Sequence, residues 1–532
     1  MNKMLPYQHA AQRMSLAEKV GQLFMPAAFI NDSEEEIQHL ETLIQEYHIG
    51  SLCFFHSRAS AATNFEGKKE VIYNADSWQL LKQLIARYQK AAKYPLLIAI
   101  DAEWGLAMRV ENTPQYPYAI TQGALVGHTD QIFKIGKNIA RDCRATGIHW
   151  NLAPVVDINN NPNNPVIGYR SYGESKEQVA EKAIAYSLGM HSEGILDCLK
   201  HFPGHGDTDT DSHLGMPLIN KTKEELWENE LYPFRQSIAN GTDAVMVGHL
   251  AVPALSDHTT VPATISADII QGLLREEMQF KGVVISDALN MKAISKLFPE
   301  KGELEWQAFN AGTDVLCFSE HVSEGVQTIL QRAGQPQIEE SFKRVWALKE
   351  KAFKTTWPKA EGLQDPDALN RKLAYGSLSL LRGSEKAIQE FGKKEFLGVS
   401  IGQDGANGFF NAIGKSGPFP TLTDTMERLD DHRNILLAIF PPRAKPAGDF
   451  GLTQGDMQLV NQLLRSKNVV LYHFGNPYSL PLFNWEEASA VVLAYQNFEV
   501  FQQHAAHHFL GKVQAQGKIP VTLDQQPCES IK

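Results

Sequence analysis

Eight short apolar runs, separated by segments with a helical pattern, fill about the first 350 residues of this chain. Nearly continuous apolar character is typical of strands that are buried on both faces of a parallel sheet. Eight alternating strand and helix units predict an α/β fold built on a (β/α)₈, or TIM, barrel. The eight runs are Gly21–Pro26, Ser51–Phe55, Pro95–Asp101, His149–Asp157, Asp197–Phe202, Asp243–Leu250, Gly282–Asp287 and Asp314–Phe318. The helical segments between them include Ser77–Ala92, Asp130–Ala145, Lys176–Glu193 and Lys223–Ala239.

A second, smaller domain follows the predicted barrel. The segment Thr355–Asn370 contains two prolines and many polar residues, which is typical of a linker. Beyond it, apolar runs alternate again with helical segments, so we predict a C-terminal α/β sandwich domain. The expected boundaries are 1–354 for the barrel, 355–370 for the linker and 371–532 for the sandwich. The runs are Glu395–Ile401, Asn434–Phe440, Asn468–Phe474 and Ala488–Tyr495, with helices at Thr453–Ser466 and Val500–Leu510.

Charge and hydropathy exclude some kinds of partner. The chain has 50 Lys and Arg against 61 Asp and Glu, a net charge of −11, so we do not expect nucleic acid as a partner. No apolar stretch approaches the roughly 18–20 residues of a membrane span. The amino terminus has no apolar signal-peptide core, so we expect a cytoplasmic protein, or a periplasmic or cell-envelope one if a signal was trimmed. The sequence gives no indication of the oligomeric state.

The five cysteines are scattered and form no Cys-x-x-Cys pair. The first four, Cys53, Cys143, Cys198 and Cys317, lie in apolar segments that resemble strands, whereas Cys528 lies near the end of the chain. We therefore expect the first four to be buried free thiols and not part of a disulfide framework.

Polar residues follow five successive strand candidates at their carboxyl ends, where barrels of this type place their chemistry. Chance could explain one or two such groups, but five predict a pocket. The groups are Asp101–Arg109 after the third run, Asn159–Arg170 after the fourth, Lys200–His213 after the fifth, His249 after the sixth and Asp287 at the end of the seventh.

The fifth group is the densest, with three histidines and three aspartates from His201 to His213. A metal site is one interpretation, but the spacing H-x3-H-x7-H fits none of the usual zinc patterns. A calcium loop starting at Asp207 would have Ser212 in place of glycine and Leu218 in place of glutamate. A solvated acidic loop would explain the aspartates, but not a lysine and a histidine at the end of an apolar strand. We expect neither a metal nor an organic cofactor.

An acid/base loop is the interpretation that we prefer. Gly204 and Gly206 supply backbone freedom, and Asp211 is placed to fix the tautomer of His213 and stabilise its protonated form. Asp287, at the end of a buried strand, could serve as a nucleophile if nearby cations keep it ionised. The alternative for Asp287 is a helix N-cap for Ala288–Ser295.

Lys200–His213, read as KHFPGHGDTDTDSH and followed by LGMP, resembles the signature of glycoside hydrolase family 3. The likeness is greatest to the β-N-acetylglucosaminidase branch, whose pattern is K-H-F-P-G-H-G-x-x-x-x-D-S-H. Further segments that look like the family are Ser15–Gln22, Asn151–Asp157, Arg170–Gly173 and Ile285–Asp287, and in the second domain Val491–Gln496 and Gly517–Val521.

The resemblance implies roles for individual residues. Asp287 would be the nucleophile, and His213, paired with Asp211, would be the general acid/base. Sugar hydroxyls would be held by Asp101, Arg109, Arg170, Lys200 and His201. The sequence departs from the common family form at Trp104, which lies between Glu103 and Gly105 where many members have Glu-Gly-Gly. This tryptophan would narrow the pocket or stack on a sugar.

These expectations combine into a retaining exo-acting β-N-acetylglucosaminidase that removes terminal β-linked N-acetylglucosamine, for example from peptidoglycan-derived fragments. A neutral histidine base does not repel an anionic acceptor, so phosphorolysis is an alternative to hydrolysis. A β-glucosidase is a second alternative, although many members of that type take the acid/base from a glutamate of the second domain. A non-catalytic carbohydrate-binding barrel is an alternative from a different class.

Overall fold

The computed structural model describes residues 4–55, 73–208, 216–256, 261–354, 362–403, 407–414, 429 and 432–523. The chain divides into two compact units. The first consists of Met1–Gln115, Ile132–Ile158 and Val179–Asp365, and the second of Tyr116–Gln131, Asn159–Gln178 and Pro366–Lys532. Two segments from the sequence range of the predicted barrel, Tyr116–Gln131 and Asn159–Gln178, thus belong to the second unit.

Every predicted apolar run of the first unit contains a strand. All strand pairs in the described part of this unit are parallel, in the orders β2-β3-β4-β5, β6-β7-β8 and β1-β9. Isolated parallel bridges, Trp150 to Leu196 and Ile285 to Val315, connect β5 with the start of β6 and β8 with the start of β9. The strands are β1 (Phe24–Met25), β2 (Ala27–Ala28), β3 (Ser51–Phe54), β4 (Leu97–Ile100), β5 (Trp150–Asn151), β6 (Leu199–Phe202), β7 (Ala244–Val247), β8 (Val283–Ser286) and β9 (Leu316–Cys317).

Helices lie between these strands, and three of them begin at capping boxes in which Ser15, Ser33 or Thr222 exchanges hydrogen bonds with a glutamate three residues later. The π-helical element is Asp268–Glu277, and the short 3₁₀ turns are Leu106–Met108, Pro253–Leu255 and Ala263–Ile265. The α-helices are Tyr7–Arg13, Leu16–Gly21, Glu34–Tyr47, Ser77–Ala91, Lys223–Glu228, Tyr232–Ala239, Lys292–Ser295, Glu303–Ala311, Val322–Arg332, Gln335–Lys354 and most of Thr129–Thr146 and Lys176–His191.

Two local expectations for this unit are wrong. The segment Lys223–Ala239 is not one helix but two, interrupted at residues 229–231. Pro233 causes the break, because its ring would collide with the carbonyl of Asn229 in a continuous helix. Cys143 lies in the helix Thr129–Thr146 and not in a strand. Cys53, Cys143, Cys198 and Cys317 are all buried and free, as expected. None of the helices in the described ranges combines the length and the apolar character that spanning a bilayer needs.

The second unit is built on a five-stranded sheet. Its order is β10-β14-β13-β12-β11, parallel except for β10, which is antiparallel to β14. The strands are β10 (Ser379–Arg382), β11 (Leu397–Ile401), β12 (Asn434–Ile439), β13 (Asn468–His473) and β14 (Ala490–Leu493). The α-helices are Ala119–Gly123, Asp367–Ser377, Glu385–Gly392, Gly408–Ile413, Gln454–Ser466 and Glu499–Phe509, with 3₁₀ turns at Gly168–Arg170, Asp449–Gly451, Pro477–Leu482 and Trp485–Glu487.

Both faces of this sheet are covered, because alternate residues of each strand point to opposite sides. On one face, Leu437 of β12 packs in a cluster with Val460 and Leu463 of the helix Gln454–Ser466. On the other face, its neighbour Leu436 shares a cluster with Phe409 and other aromatic side chains. Continuous burial on both faces is the reason why these strands were recognisable as apolar runs.

The predicted linker Thr355–Asn370 is wrong in its last residues, because Asp367–Asn370 form the first turn of the helix Asp367–Ser377. Its N-cap is Pro366, and an acidic residue at the first helical position, here Asp367, is favourable at a helix N-terminus. Residues 355–361 lie outside the described part of the chain.

An ion-pair cluster joins the amino ends of β6 and β7. The Nε2 atom of His191 lies 3.2 Å from Oδ1 of Asp197 and 3.0 Å from Oδ2 of Asp243. The ammonium of Lys351 contacts the other carboxylate oxygen of Asp243. Burial opposes protonation of His191, but the carboxylates of Asp197 and Asp243 beside it outweigh burial and raise the pKa of the imidazole to about 9.

We predict that this cluster stabilises the fold in a pH-dependent way. Because folding raises the pKa of His191 from 6.5 to about 9, the stabilisation is complete below 6.5 and is lost as the pH rises through about 9. At about 1.4 kcal/mol per pKa unit, the difference between 6.5 and about 9 amounts to about 3.5 kcal/mol. Denaturant unfolding of His191→Gln should therefore show a loss at pH 6 that shrinks toward pH 10. The exposed His39, changed to glutamine, is the control, and an equal loss at both pH values would contradict the prediction.

Candidate active site

The register of the parallel strands brings two predicted site residues to the same end of the first unit. Ile100 is the last residue of β4 and pairs with Asn151, and Ser286 is the last residue of β8 and pairs with Val247. Asp101 and Asp287 each follow directly. The pKa of the buried Cys198 thiol is raised, mainly by burial. The negative charges of Asp197, Asp101 and Asp287 raise it further.

Lys200 lies at the centre of the group around Asp101. Its Nζ atom is 2.8 Å from Oδ1 of Asp101 and 2.8 Å from Oε1 of Glu103. Arg109 binds the other oxygen of Asp101 through Nη2, at 2.9 Å. The lysine side chain is only 2% exposed, so this ion cluster is almost fully withdrawn from water. Burial opposes ionisation of Asp101, but the charges of Lys200 and Arg109 prevail and lower the pKa of its carboxyl.

Arg109 retains donors for a ligand. The guanidinium carbon lies 3.9 Å from the centre of the Phe55 ring, in a cation–π contact that fixes its plane. Its Nε and Nη1 atoms are buried and make no hydrogen bond within the described part of the chain. Two such nitrogens in one plane are suited to the hydroxyl groups of a sugar.

Asp287 carries the properties of a nucleophile. Its amide donates to the Val247 carbonyl at 2.9 Å, and its Oδ1 atom accepts from the Ala288 amide at 2.7 Å. Burial raises the pKa of the carboxyl, but the charges of His249, His201 and Lys200 together with the Ala288 hydrogen bond lower it to about 2. The group is therefore ionised at neutral pH. The N-cap alternative is wrong, because the following helix is Lys292–Ser295 and its N-cap is Met291.

His249 supports Asp287 from the end of β7. Its Nδ1 atom lies 2.7 Å from the Thr264 hydroxyl, and its Nε2 atom lies 2.9 Å from the Ala288 carbonyl. A carbonyl only accepts, so Nε2 carries a proton and the ring is held from both sides.

His201 is held by a residue whose role the sequence did not indicate. Its Nδ1 atom is 2.8 Å from Oδ2 of Asp157, and its amide lies 3.1 Å from both oxygens of that carboxylate. The amide of His205 donates to the same carboxylate at 2.7 Å. Asp157 is the last residue of Asn151–Asp157, a segment that resembles the family. That resemblance is the sequence feature from which a role for Asp157 could have been predicted.

The remaining polar residues of the fifth group have separate partners. The His205 Nδ1 atom is 2.8 Å from the Thr208 hydroxyl, and burial, followed by the charge of His201, lowers the pKa of His205 to about 4. Asp207 pairs with Lys221 at 2.6 Å. Gly204 has a positive φ of 126°, and a Cβ there would lie 2.9 Å from the Glu230 side chain, so glycine is required.

Three predicted site residues belong to the second unit or lie outside the described ranges. Arg170 belongs to the second unit, where its Nη1 atom lies 3.5 Å from the Val166 carbonyl. Asp211 and His213 lie outside the described residues, so their pairing stays a prediction. Trp104 is 3% exposed.

A model of the glycosyl hydrolase family 3 N-terminal domain matches residues 15–348, more than half of the chain. The chain belongs to glycoside hydrolase family 3. It is 32% identical over 341 residues to a β-hexosaminidase A of Pseudoalteromonas piscicida, an alignment that covers 59% of this chain and 55% of that protein. The chain thus spans about half the length of this curated relative.

Two solved structures resemble this one over nearly its whole length. A family 3 β-N-acetylglucosaminidase from Paenibacillus sp. has a TM-score of 0.76 and 27% identity, covering 97% of this chain and 100% of that one. A β-glucoside phosphorylase has a TM-score of 0.80 at 20% identity, covering 97% and 96%. At that identity the second likeness concerns the fold alone.

We predict that Lys200→Met is strongly destabilising, because it leaves two carboxylates without their common cation. Breaking a buried ion pair in this way typically costs about 3–5 kcal/mol. The loss of stability should diminish at acidic pH, because Asp101 and Glu103 of the variant, no longer paired with Lys200, can then take up protons and lose their charge. Denaturant unfolding at pH 7 and pH 4 measures both effects. Lys223→Met, which breaks an exposed pair with Glu277, should cost less than about 1 kcal/mol. A comparable cost for the two variants would contradict the prediction.

Proposed function

We propose that this chain is a retaining exo-acting β-N-acetylglucosaminidase. The observation that carries the proposal is an ionised Asp287 at the end of β8, near the cluster formed by Lys200, Asp101 and Arg109. A carboxylate nucleophile beside several sugar-binding donors is the arrangement that retaining glycosidases use. Support for this specificity comes from the motif Lys200–His213 and from the names of the P. piscicida and Paenibacillus relatives.

The proposed architecture is a (β/α)₈ barrel followed by a C-terminal α/β sandwich. It is supported by eight strand regions in chain order, by the bridges that join their sheets, and by the family match over residues 15–348. The site would then occupy the carboxyl ends of the barrel strands, where enzymes with this fold place their chemistry.

In the first step, a carboxylate oxygen of Asp287 attacks the anomeric carbon and forms a covalent glycosyl ester. The bond to the leaving group breaks, and the departing oxygen takes a proton from His213. In the second step, His213, now neutral, removes a proton from water, whose oxygen attacks the same carbon and releases Asp287. Two displacements restore the original β configuration. Asp211 would orient His213 and stabilise its protonated form.

The substrate class is a terminal β-linked N-acetylglucosamine, with peptidoglycan-derived fragments as a natural source. Asp101, Arg109, Lys200 and His201, all of the first unit, would hold the sugar. Asp101 accepts from hydroxyls while Arg109 and Lys200 donate to them. Water would be the acceptor of the second step, without any metal or organic cofactor. A cytoplasmic location, or a cell-envelope one if a signal was trimmed, is part of this proposal.

Asp287→Ala tests the nucleophile. We expect hydrolysis of an aryl β-N-acetylglucosaminide by the wild type without phosphate, little activity on the aryl β-glucoside, and a loss of at least about a thousandfold in kcat/KM for the variant. Asp268→Ala, at an exposed aspartate, is the matched control. Undiminished activity of Asp287→Ala would overturn the mechanism. Strict phosphate dependence of the wild type would identify a phosphorylase, and a preference for the glucoside would identify a glucosidase.

His213→Ala tests the acid/base. Because a good leaving group needs little proton donation, we expect a smaller loss of kcat/KM with a dinitrophenyl glycoside than with a methylumbelliferyl one. The plot of log kcat/KM against leaving-group pKa should be steeper for the variant than for the wild type. An equal loss with all leaving groups would argue against the acid role.

A further inference from the structure

Asp157 is a buried carboxylate that contacts His201 of the predicted sugar site. It is 1% exposed and lies beside β6, because Val155 bridges to Lys200 and the Val156 amide donates to the Lys200 carbonyl at 2.9 Å. This backbone pairing places the Asp157 side chain against His201.

The contacts of Asp157 define the protonation of the His201 ring. An ionised carboxylate only accepts hydrogen bonds, so the Nδ1 atom, 2.8 Å from Oδ2, must be the donor. Burial opposes ionisation of Asp157, but the charge and hydrogen bond of His201, together with His205, prevail and lower its pKa. The ring is thereby fixed as the Nδ1–H form or as imidazolium, and Nε2 is the nitrogen that Asp157 does not hold.

His201 in turn acts on Asp287. In its protonated form it lowers the pKa of this carboxyl, as do His249 and Lys200. A ring free to rotate or to change tautomer would no longer present Nε2, or a stable charge, in one direction. Three nitrogen atoms around Asp157, two of His201 and one of His205, therefore fix the His201 ring.

We infer that Asp157 is a positioning residue for the glycosidase reaction, which holds His201 in the tautomer and orientation that sugar binding requires. This inference rests on the proposed function, in which His201 holds a sugar hydroxyl. Asp157 does not itself touch the substrate.

The same strand offers a matched control at its other end. Asp197 precedes β6, is fully buried, accepts the Asp243 amide at 2.7 Å and pairs with His191. It therefore has the same chemistry as Asp157 but lies at the end of β6 away from Asp287. If the loss of kcat/KM came only from disturbing a buried Asp–His pair, replacing Asp197 would lower kcat/KM as much as replacing Asp157.

The test is a double-mutant cycle on kcat/KM for the aryl β-N-acetylglucosaminide, with Asp157→Asn, His201→Ala and the double variant. The asparagine oxygen can still accept a backbone amide, so the fold is retained. We expect Asp157→Asn to lose about ten- to a hundredfold, as for other residues that orient a functional histidine. In the His201→Ala background the same change should cost less than about threefold, because its target is absent. Asp197→Asn should lower the melting temperature with no comparable loss of kcat/KM.

A second variant and a spectroscopic readout separate positioning from folding. His201→Asn keeps an N–H for Asp157 but lacks Nε2, so it should be as impaired as His201→Ala. Imidazole ¹⁵N NMR should show Nδ1 of His201 protonated in the wild type and in tautomer exchange in Asp157→Asn. Independent, additive losses in the cycle, or an unchanged His201 spectrum in Asp157→Asn, would overturn the inference. A wild type without activity on the glucosaminide would instead refute the proposed function, and the NMR comparison would still decide the role of Asp157.

Discussion

The ammonium of Lys200 is the group on which the candidate site depends. It lies 2.8 Å from oxygens of both Asp101 and Glu103, with only 2% of its side chain exposed. Removing each of these ions from water costs several kcal/mol, so none is stable there without the others. Asp101 follows β4 and Lys200 lies in β6, two strands away. The ion cluster therefore ties together parts of the chain that the hydrogen bonds of a sheet join only through β5. The ion cluster therefore forms only when the strands are in the correct register, so the register also places the charges of the proposed sugar site.

The two ends of β6 show how the same pair of residue types can serve different purposes. At the amino end, His191 lies between Asp197 and Asp243, where protonation contributes to stability. At the carboxyl end, Asp157 holds His201 next to a carboxylate that must stay ionised. The chemistry of each pair is alike, and position along the strand decides its role. In parallel α/β sheets, ligands bind at the carboxyl ends, and the opposite end is left to stabilise the fold.

Much of this could be predicted from the sequence, for a physical reason. Strands buried on both faces have few polar interruptions, so each apolar run of the first unit marked a strand. The edge strand Ser379–Arg382 was missed because only its first residue is buried, so it lacks the continuous burial of the central strands. Residues at strand ends, such as Asp101 and Asp287, were found because the chain itself marks where a strand stops. Asp157 was missed because its partner is 44 residues away, and only the register of Val155 with Lys200 brings them together.

Asp287 differs from the other carboxylates of the site in a way that suits attack on carbon. Asp101 forms a direct ion pair through each of its oxygens, and Glu103 forms one through Oε1. Within the described ranges, Asp287 accepts one hydrogen bond, from the Ala288 amide, while cations near it act through space. A close ion pair would also lower its pKa, but it would occupy the electron pairs that must form the new bond. Charges held at a distance keep the group ionised and leave an oxygen available, so the separation of these cations from Asp287 is as important as their number.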